Sequence, residues 1–295
     1  MKIAVWLDVP VPCFSPDSRQ RKLLRSLLPG AELRFCRDKE QFLRALKDAE
    51  AAFVWKFKPE WVARAPKLLW IATPAAGRED VPRKLIPRRI RITHGAFHGP
   101  LIAQTVAGAV LMFNRGLRNP EPWGREKLEC RDVIGTRALI YGYGRVGKAI
   151  AAKLRAFGIQ TVGVRRTPSR TSVTPEAAKK LLKTCDHLIL ALPSDTGTDN
   201  LVDGAFLKRL PPHAVVYNIG RGNSVDEAAL LAAVESGRLA GAYLDVFKQE
   251  PPPADSPLLH CPKIHTSPHS SAFGATYLDR AFAEFAQYYK KNFSK

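Results

Sequence analysis

The stretch Ala138-Leu139-Ile140-Tyr141-Gly142-Tyr143-Gly144-Arg145-Val146-Gly147-Lys148-Ala149-Ile150-Ala151 decides how this chain is read. A short apolar run with the character of a buried strand ends at a Gly-x-Gly-x-x-Gly turn and enters a helical pattern over residues 145–157. Each glycine has a physical task in that context. Gly142 permits the tight turn, Gly144 lets a pyrophosphate approach the backbone, and Gly147 lets the helix pack closely on its strand. The helix N-terminus then directs free N–H groups and the positive end of its dipole at the phosphates. The motif alone is weak evidence. Here it has the required strand before it, the helix after it, and a second apolar run at residues 159–164.

Outward from that turn, the pattern continues as alternating strands and helices. Strands are expected at residues 137–141, 160–164, 187–191, 214–218, 240–245 and 263–266, and helices at 145–157, 175–183, 204–210 and 226–236. Six strands with interleaved helices fit a doubly wound dinucleotide fold. On the N-terminal side, strands at 3–7, 33–36, 51–55 and 68–71 alternate with helical patterns at 18–28, 39–47 and 61–64, the rhythm of a second, smaller parallel sheet. Residues 78–99 are rich in Pro, Arg and Gly and read as an irregular crossing. A long apolar helix is expected from Leu101 to Leu117, broken by Asn119-Pro120-Glu121-Pro122, and a final helix from Ala272 to Phe293 with Phe282, Phe285 and Tyr289 on one face.

Composition narrows the class. The 295 residues are 45% hydrophobic, enough for a real core. No apolar run reaches the ~18 residues of a membrane span, and the first strand does not have the pattern of a signal peptide. Cys13, Cys36, Cys130, Cys185 and Cys261 are scattered, without a Cys-x-x-Cys pair, which points to reduced thiols in the cytoplasm rather than a disulfide scaffold or a metal site. The formal net charge is +19, and its densest cluster is Arg83, Lys84, Arg88, Arg89 and Arg91. Such a balance attracts anionic ligands or nucleic acid. No nucleic-acid-binding motif accompanies the cluster, so a basic solvated surface is the preferred reading.

Several residues with chemical potential follow strand ends, where open α/β sheets build their sites. At the second strand of the dinucleotide pattern an acid would bond the ribose hydroxyls, whereas Arg accommodates a 2′-phosphate. The residues there are Arg165, Arg166 and Thr167, with Arg170 close by and no Asp or Glu, which favours NADPH over NADH. Arg221 lies between Gly220 and Gly222, sterically free to offer a planar fork to a carboxylate. Asp245 and Glu250 follow another strand, and His269 a third; Asp245 is open to a second reading, as a loop cap. Ala76 and Gly77 lie in a small-residue loop after the fourth strand.

These motifs closely resemble the D-isomer-specific 2-hydroxyacid dehydrogenases, which include glyoxylate/hydroxypyruvate reductases and phosphoglycerate dehydrogenase. The resemblance is carried by residues 142–147, Leu192-Pro193 through Thr198 and Leu201, residues 218–227, residues 245–251 and Ser267-Pro268-His269, in family order. It implies an α/β protein of two doubly wound parallel-sheet domains, a Rossmann cofactor domain and a smaller flavodoxin-like substrate domain, with the cleft between them. The substrate domain would be discontinuous, residues 1–97 with 273–295, and the cofactor domain would be 98–272. Arg221, Glu250 and His269 would be the catalytic residues. Ala76, Gly77, Arg221 and His269 would bind substrate. Tyr143, Gly144, Arg145, Val146, Arg165, Arg166, Thr167, Leu192, Pro193, Ile219, Gly220, Asp245 and His269 would line the cofactor.

The chain departs from the family in three places: Arg165 replaces the acid of NAD-using members, Ser267 stands where Thr is usual, and Leu259 where many members carry Trp. The resemblance further implies a homodimer through the 101–117 region, and as a further departure the chain is expected to lack a regulatory C-terminal extension. The expected function is an NADPH-preferring reductase of a small 2-oxo acid such as glyoxylate or hydroxypyruvate. Glu250 is expected to raise the pKa of His269 and keep its acid form available. The alternatives are a nicotinamide-sensing, corepressor-like interaction protein and a phosphoglycerate-dehydrogenase-like enzyme. His94 and His98 flank the expected hinge and are read as structural or exposed, with a substrate role as the second reading.

Overall fold

In the computed structural model, which describes residues 1–117 and 130–293, the chain divides into two compact units. Unit 1 comprises Met1–His98 with Phe273–Lys295, and unit 2 comprises Gly99–Ala272. The Asn119–Pro122 breaker lies outside the described residues. No helix among the described residues is long and apolar enough to cross a membrane.

Unit 1 is built on five parallel strands, β1 (Lys2–Trp6), β2 (Glu32–Phe35), β3 (Ala51–Val54), β4 (Trp70–Thr73) and β5 (Arg91–His94), in the order β2-β1-β3-β4-β5. β3 and β4 are buried at every position and are accordingly continuous apolar runs up to Thr73. The fifth strand corrects the irregular crossing expected over residues 78–99. It is a four-residue edge strand with one neighbour, beginning at an exposed Arg91, so it has no run of buried apolar residues to betray it.

Helix α1 (Ser18–Leu27) starts at a capping box. The Asp17 side chain accepts from the Gln20 amide at 2.7 Å, and the Gln20 side chain accepts from the Asp17 amide at 3.1 Å. Asp38 caps α2 (Lys39–Ala45) one way only, its side chain accepting from the Gln41 amide at 2.8 Å. The chain's last helix, α9 (Tyr277–Asn292), closes unit 1 through aromatic packing. Phe285 stacks on Phe53 at 4.2 Å and on Trp70 at 4.4 Å, and Phe282 and Tyr289 are buried with it, as the spacing predicts. α9 begins five residues later than expected, because 272–276 forms a turn through Gly274.

Unit 2 opens with α3 (Gly99–Asn114), shorter at its end than the expected helix. It packs along α4 (Arg145–Arg155) so closely that a Cβ on Gly99 would lie 3.1 Å from that of Ala149. The sheet contains β6 (Arg137–Tyr141), β7 (Gln160–Val164), β8 (Ser172–Val173), β9 (His187–Leu190), β10 (Val215–Asn218), β11 (Gly241–Leu244) and β12 (Ile264–Thr266). Their order is β12-β11-β10-β9-β6-β7-β8, all parallel. The seven strands correct the six expected: β8 is a two-residue edge, too short to register as periodicity. The crossover helices are α5 (Pro175–Ala178), which tightens into a 3-10 turn at Lys179–Thr184, α6 (Gly204–Leu207), α7 (Glu227–Glu235) and α8 (Pro257–His260). β9 and β10, at the sheet's centre, are buried at every position.

Candidate functional site

The candidate residues of unit 2 stand on consecutive loops at the carboxyl edge of its sheet, and those loops press on one another. Gly142, at φ +90°, follows β6; a Cβ there would come within 2.3 Å of the Ala191 carbonyl oxygen. A Cβ on Gly220, after β10, would lie 2.6 Å from both the Leu192 amide nitrogen and its carbonyl oxygen. A Cβ on Gly222 would lie 1.9 Å from the Phe247 carbonyl carbon, after β11. The glycines flanking Arg221 therefore stand where neighbouring backbones approach too closely for a Cβ.

The turn after β6 has the form a dinucleotide requires. Gly144 is the N-cap of α4 with no side-chain cap, and a Cβ there would meet nothing within 4 Å. The helix N-terminus is thus open to a phosphate. Gly147 approaches the Gly142 carbonyl, where a Cβ would lie at 2.5 Å, which packs α4 tightly on β6. Tyr143 is directed away from this opening: its buried ring lies under Gly163 and its hydroxyl accepts from Arg155 Nη2 at 3.2 Å. Only its backbone faces the turn, whereas the neighbouring Arg145 is exposed and Val146 half-buried. Residues 143–147 therefore fit a bound nicotinamide dinucleotide by shape.

Arg165, Arg166, Thr167 and Arg170 are exposed after β7. The Arg165 amide donates to Val173 at 3.0 Å, so β8 anchors this loop. Arg166 Nη2 donates to Asp195 Oδ2 at 2.5 Å. The sequence offers no acid near Arg166; the fold supplies one from the loop after β9, where Leu192 is half-buried and Pro193 exposed.

Asn218, fully buried at the end of β10, shapes the Arg221 loop. Its Oδ1 accepts from the Gly220 amide at 3.2 Å, and its Nδ2 donates to the Arg221 carbonyl at 3.1 Å. Ser224 Oγ donates to the same carbonyl at 2.8 Å. Arg221 is half-buried, with Nη1 donating to the Gly220 carbonyl at 2.8 Å, and Ile219 is buried beneath it.

Asp245 organises the next loop. Its Oδ1 accepts from Ser267 Oγ at 2.6 Å, from the Ser270 amide at 2.7 Å and from the Ser271 amide at 3.0 Å. Ser267 thereby acts as donor to the acid, so the Tyr243 hydroxyl, 2.6 Å away, donates to Ser267. This carboxylate is 1% exposed and works as the loop cap of the second reading, folding residues 267–271 around itself.

At the apex of that loop His269 adopts φ +51°, the left-handed region that a non-glycine residue seldom occupies. Its Nδ1 lies 2.8 Å from Glu250 Oε2, and the carboxylate makes Nδ1 the donor. Glu250 is itself held by the Phe247 amide, which donates to Oε1 at 3.1 Å. The Lys248 amide donates to Glu227 Oε1 at 2.7 Å, fixing the segment from the other side. The imidazole is thus oriented through Nδ1, with Nε2 on the side of the ring away from that bond. A cavity of about 300 Å³ opens beside this pair, lined by Phe247, Pro251, Leu259 and Pro268 among others.

In unit 1, Ala76 is exposed and Gly77 half-exposed, after β4. Thr73 Oγ1 shapes that loop by donating to the Trp55 carbonyl at 3.0 Å and accepting from the Ala75 amide at 3.2 Å. Burial lowers the pKa of His94, and the nearby Gly77 backbone opposes that shift. His98 is buried against the Tyr277 hydroxyl at 2.8 Å, and burial depresses its pKa to about 4. Asn218, Glu227, Ser267 and Asp195 were not singled out for their own roles by sequence reasoning. All four lie inside the quoted motifs, where polar residues after a strand are a usable signal; for Asp195 the pairing partner is 29 residues away, and nothing local marks that pairing.

Residues 105–271 match the family model for the D-isomer specific 2-hydroxyacid dehydrogenase, NAD binding domain. The chain is 28% identical over 300 residues to D-3-phosphoglycerate dehydrogenase of Mycobacterium leprae, covering 95% of this chain and 56% of that protein. It is 29% identical over 254 residues to glyoxylate reductase of Korarchaeum cryptofilum, covering 79% and 76% respectively. The crystal structure of a D-isomer specific 2-hydroxyacid dehydrogenase from Xanthobacter autotrophicus Py2, in complex with NADPH and MES, superposes with a TM-score of 0.81 at 27% identity, over 97% of this chain and 92% of that one. The chain spans about half the length of the phosphoglycerate dehydrogenases it matches.

Proposed function

The chain belongs to the D-isomer specific 2-hydroxyacid dehydrogenases, and from that premise we propose that it is an NADPH-preferring reductase of a small 2-oxo acid, of glyoxylate or hydroxypyruvate type, forming the D-2-hydroxy acid. The observation that carries the reading is the Glu250–His269 pair at 2.8 Å, held on the same sheet edge as the open Gly144 turn. When bound, the reduced nicotinamide supplies a hydride to the keto carbon.

The chain's own residues do the rest. Arg221 binds the substrate carboxylate and polarises the keto oxygen, a charge-assisted contact that strengthens as negative charge develops there. His269 Nε2 donates the proton that this oxygen requires, while Glu250 keeps Nδ1 bonded and the ring oriented. Ala76 and Gly77 contribute backbone N–H groups to the carboxylate, in keeping with their exposure on a loop of small residues. Unit 1, residues 1–98 with 273–295, serves as the substrate domain and unit 2, residues 99–272, as the cofactor domain, one residue from the expected boundary at 97/98. Arg165 and Arg166 receive the 2′-phosphate. A cytoplasmic homodimer accords with the five unpaired cysteines and with the family resemblance.

The test is a panel of glyoxylate, hydroxypyruvate, pyruvate, phenylpyruvate and 3-phosphohydroxypyruvate, each with NADPH and NADH. Turnover with NADPH above NADH is expected, falling ~10²- to 10⁴-fold in His269→Ala. Arg221→Ala should lose substrate binding as well. Tight dinucleotide binding with no turnover across the panel counts against a reductase and favours a sensing role. Preferential turnover of the phosphorylated substrate moves the assignment to the phosphoglycerate type, as the name of the Mycobacterium leprae relative suggests.

A further inference from the structure

Asp195 is the acid that the linear sequence does not place near the adenosine end of the cofactor. It reaches Arg166 from the loop after β9, two strands away from β7 in the sheet. Its position is set without help from the arginine. Oδ1 accepts from the Gly197 amide at 2.8 Å, and its carbonyl accepts from the Thr198 amide at 2.8 Å and the Thr198 hydroxyl at 2.7 Å. The loop is laced to its neighbour, since the Asn200 amide donates to the Asn223 carbonyl at 2.8 Å and the Val202 amide to that of Ser224 at 3.0 Å. Arg166, by contrast, is 77% exposed on a long, flexible stem. The carboxylate is the fixed partner and the guanidinium the adjustable one.

The Gly197 amide, and then Arg166, hold the Asp195 carboxyl below its ordinary range, so it is an anion at neutral pH. Arg165 and Arg170 have no carboxylate within ion-pair distance among the described residues, so Arg166 is the one cation of the three that is already neutralised. A dinucleotide bearing a 2′-phosphate must take Arg166 from Asp195 and settle beside a like charge. One bearing a free 2′-hydroxyl meets an acceptor instead.

We propose that Asp195 is a cofactor-selectivity residue, which restrains the preference for NADPH that Arg165 and Arg166 create and keeps NADH usable. This rests on the proposed nicotinamide cofactor and extends it. An exposed pair of this kind is a weak one, so the expected effect is a modest ~3- to 5-fold.

Asp195→Asn keeps an oxygen for the Gly197 amide and removes the charge. Dissociation constants for NADPH and NADH would be measured by fluorescence titration, which needs no turnover. The variant should bind NADPH ~3- to 5-fold more tightly, with NADH unchanged or slightly weaker, and the gain should shrink as salt screens the charges. The gain should also vanish when Arg166→Ala is added. A variant that shifts both dinucleotides equally, or neither, while the wild-type chain binds them, overturns the role of Asp195. Wild-type protein that binds neither dinucleotide overturns the cofactor reading, and this inference with it.

Discussion

The carboxyl edges of the two parallel sheets are finished in different ways. In unit 1 the loop after β4 is shaped by one hydroxyl, Thr73, and by the closeness of Gly95 to Pro74, where a Cβ would lie 2.0 Å from the Pro74 carbonyl oxygen. Among its described residues, unit 1 buries Gln20, Thr73 and His98 but no charged acid or base. Unit 2 buries Asn218 and Ser224, which bond the Arg221 loop, and Asp245 and Ser271, which hold the loop that carries His269. A loop that presents backbone donors needs only a defined shape. Charged side chains that must meet a reacting atom need a buried polar layer to orient them, because each unpaired polar group there would be costly. The edge with costly buried polar groups is therefore the one that carries the proposed chemistry.

The largest effect that separates the two units concerns their cores. Phe285→Ala removes the ring stacked between Phe53 and Trp70 and should destabilise unit 1 by ~3–5 kcal/mol. Nucleotide affinity of unit 2 should survive at temperatures below the lowered melting transition. Equal loss of both would show that the units do not fold independently.

Acid should affect both units similarly. Burial depresses His98 in unit 1 and His187 in unit 2 to about 4. Each is neutral when folded, while the unfolded chain takes up a proton near pH 6.5, so the unfolded state binds more protons between the two values. Stability is complete above about pH 6.5 and falls as pH drops toward 4, by roughly 3 kcal/mol per histidine at 1.36 kcal/mol per pH unit. His98→Gln, which can still bond the Tyr277 hydroxyl, should flatten the acid slope of unit 1 alone in pH-dependent urea melts; a slope unchanged by the substitution would locate the acid sensitivity elsewhere.

Asn218→Ala removes the groups that bond the Gly220 amide and the Arg221 carbonyl, which should cost ~1–3 kcal/mol and lower kcat by misplacing Arg221. Thr73→Val, the equivalent change in unit 1, should cost only ~1 kcal/mol and act on KM rather than kcat. Steady-state kinetics on both variants checks the contrast. An equal fall in kcat would erase the distinction drawn between the two edges.

Much of this was legible in order along the chain. The Gly142–Gly147 turn, the buried strands β3, β4, β9 and β10, and the spacing of Phe282, Phe285 and Tyr289 all follow from local periodicity and composition. β5 and β8 were not legible, because a short edge strand buries too little to leave an apolar signature. The positions of Arg221, Glu250 and His269 after strand ends were readable, but the reason for the glycines around Arg221 was not. That reason lies in Leu192 and Phe247, on other loops.

The sequence by itself determined the fold class, the dinucleotide turn and the cast of candidate residues, since these depend on interactions between near neighbours. Tertiary structure alone decided which groups meet. It joined Glu250 to His269 across 19 residues, wrapped the 267–271 loop around Asp245, and brought Asp195 to Arg166. Hydrogen bonds and ion pairs act over a few ångströms, and strand order, which no local pattern encodes, decides which distant loops come that close.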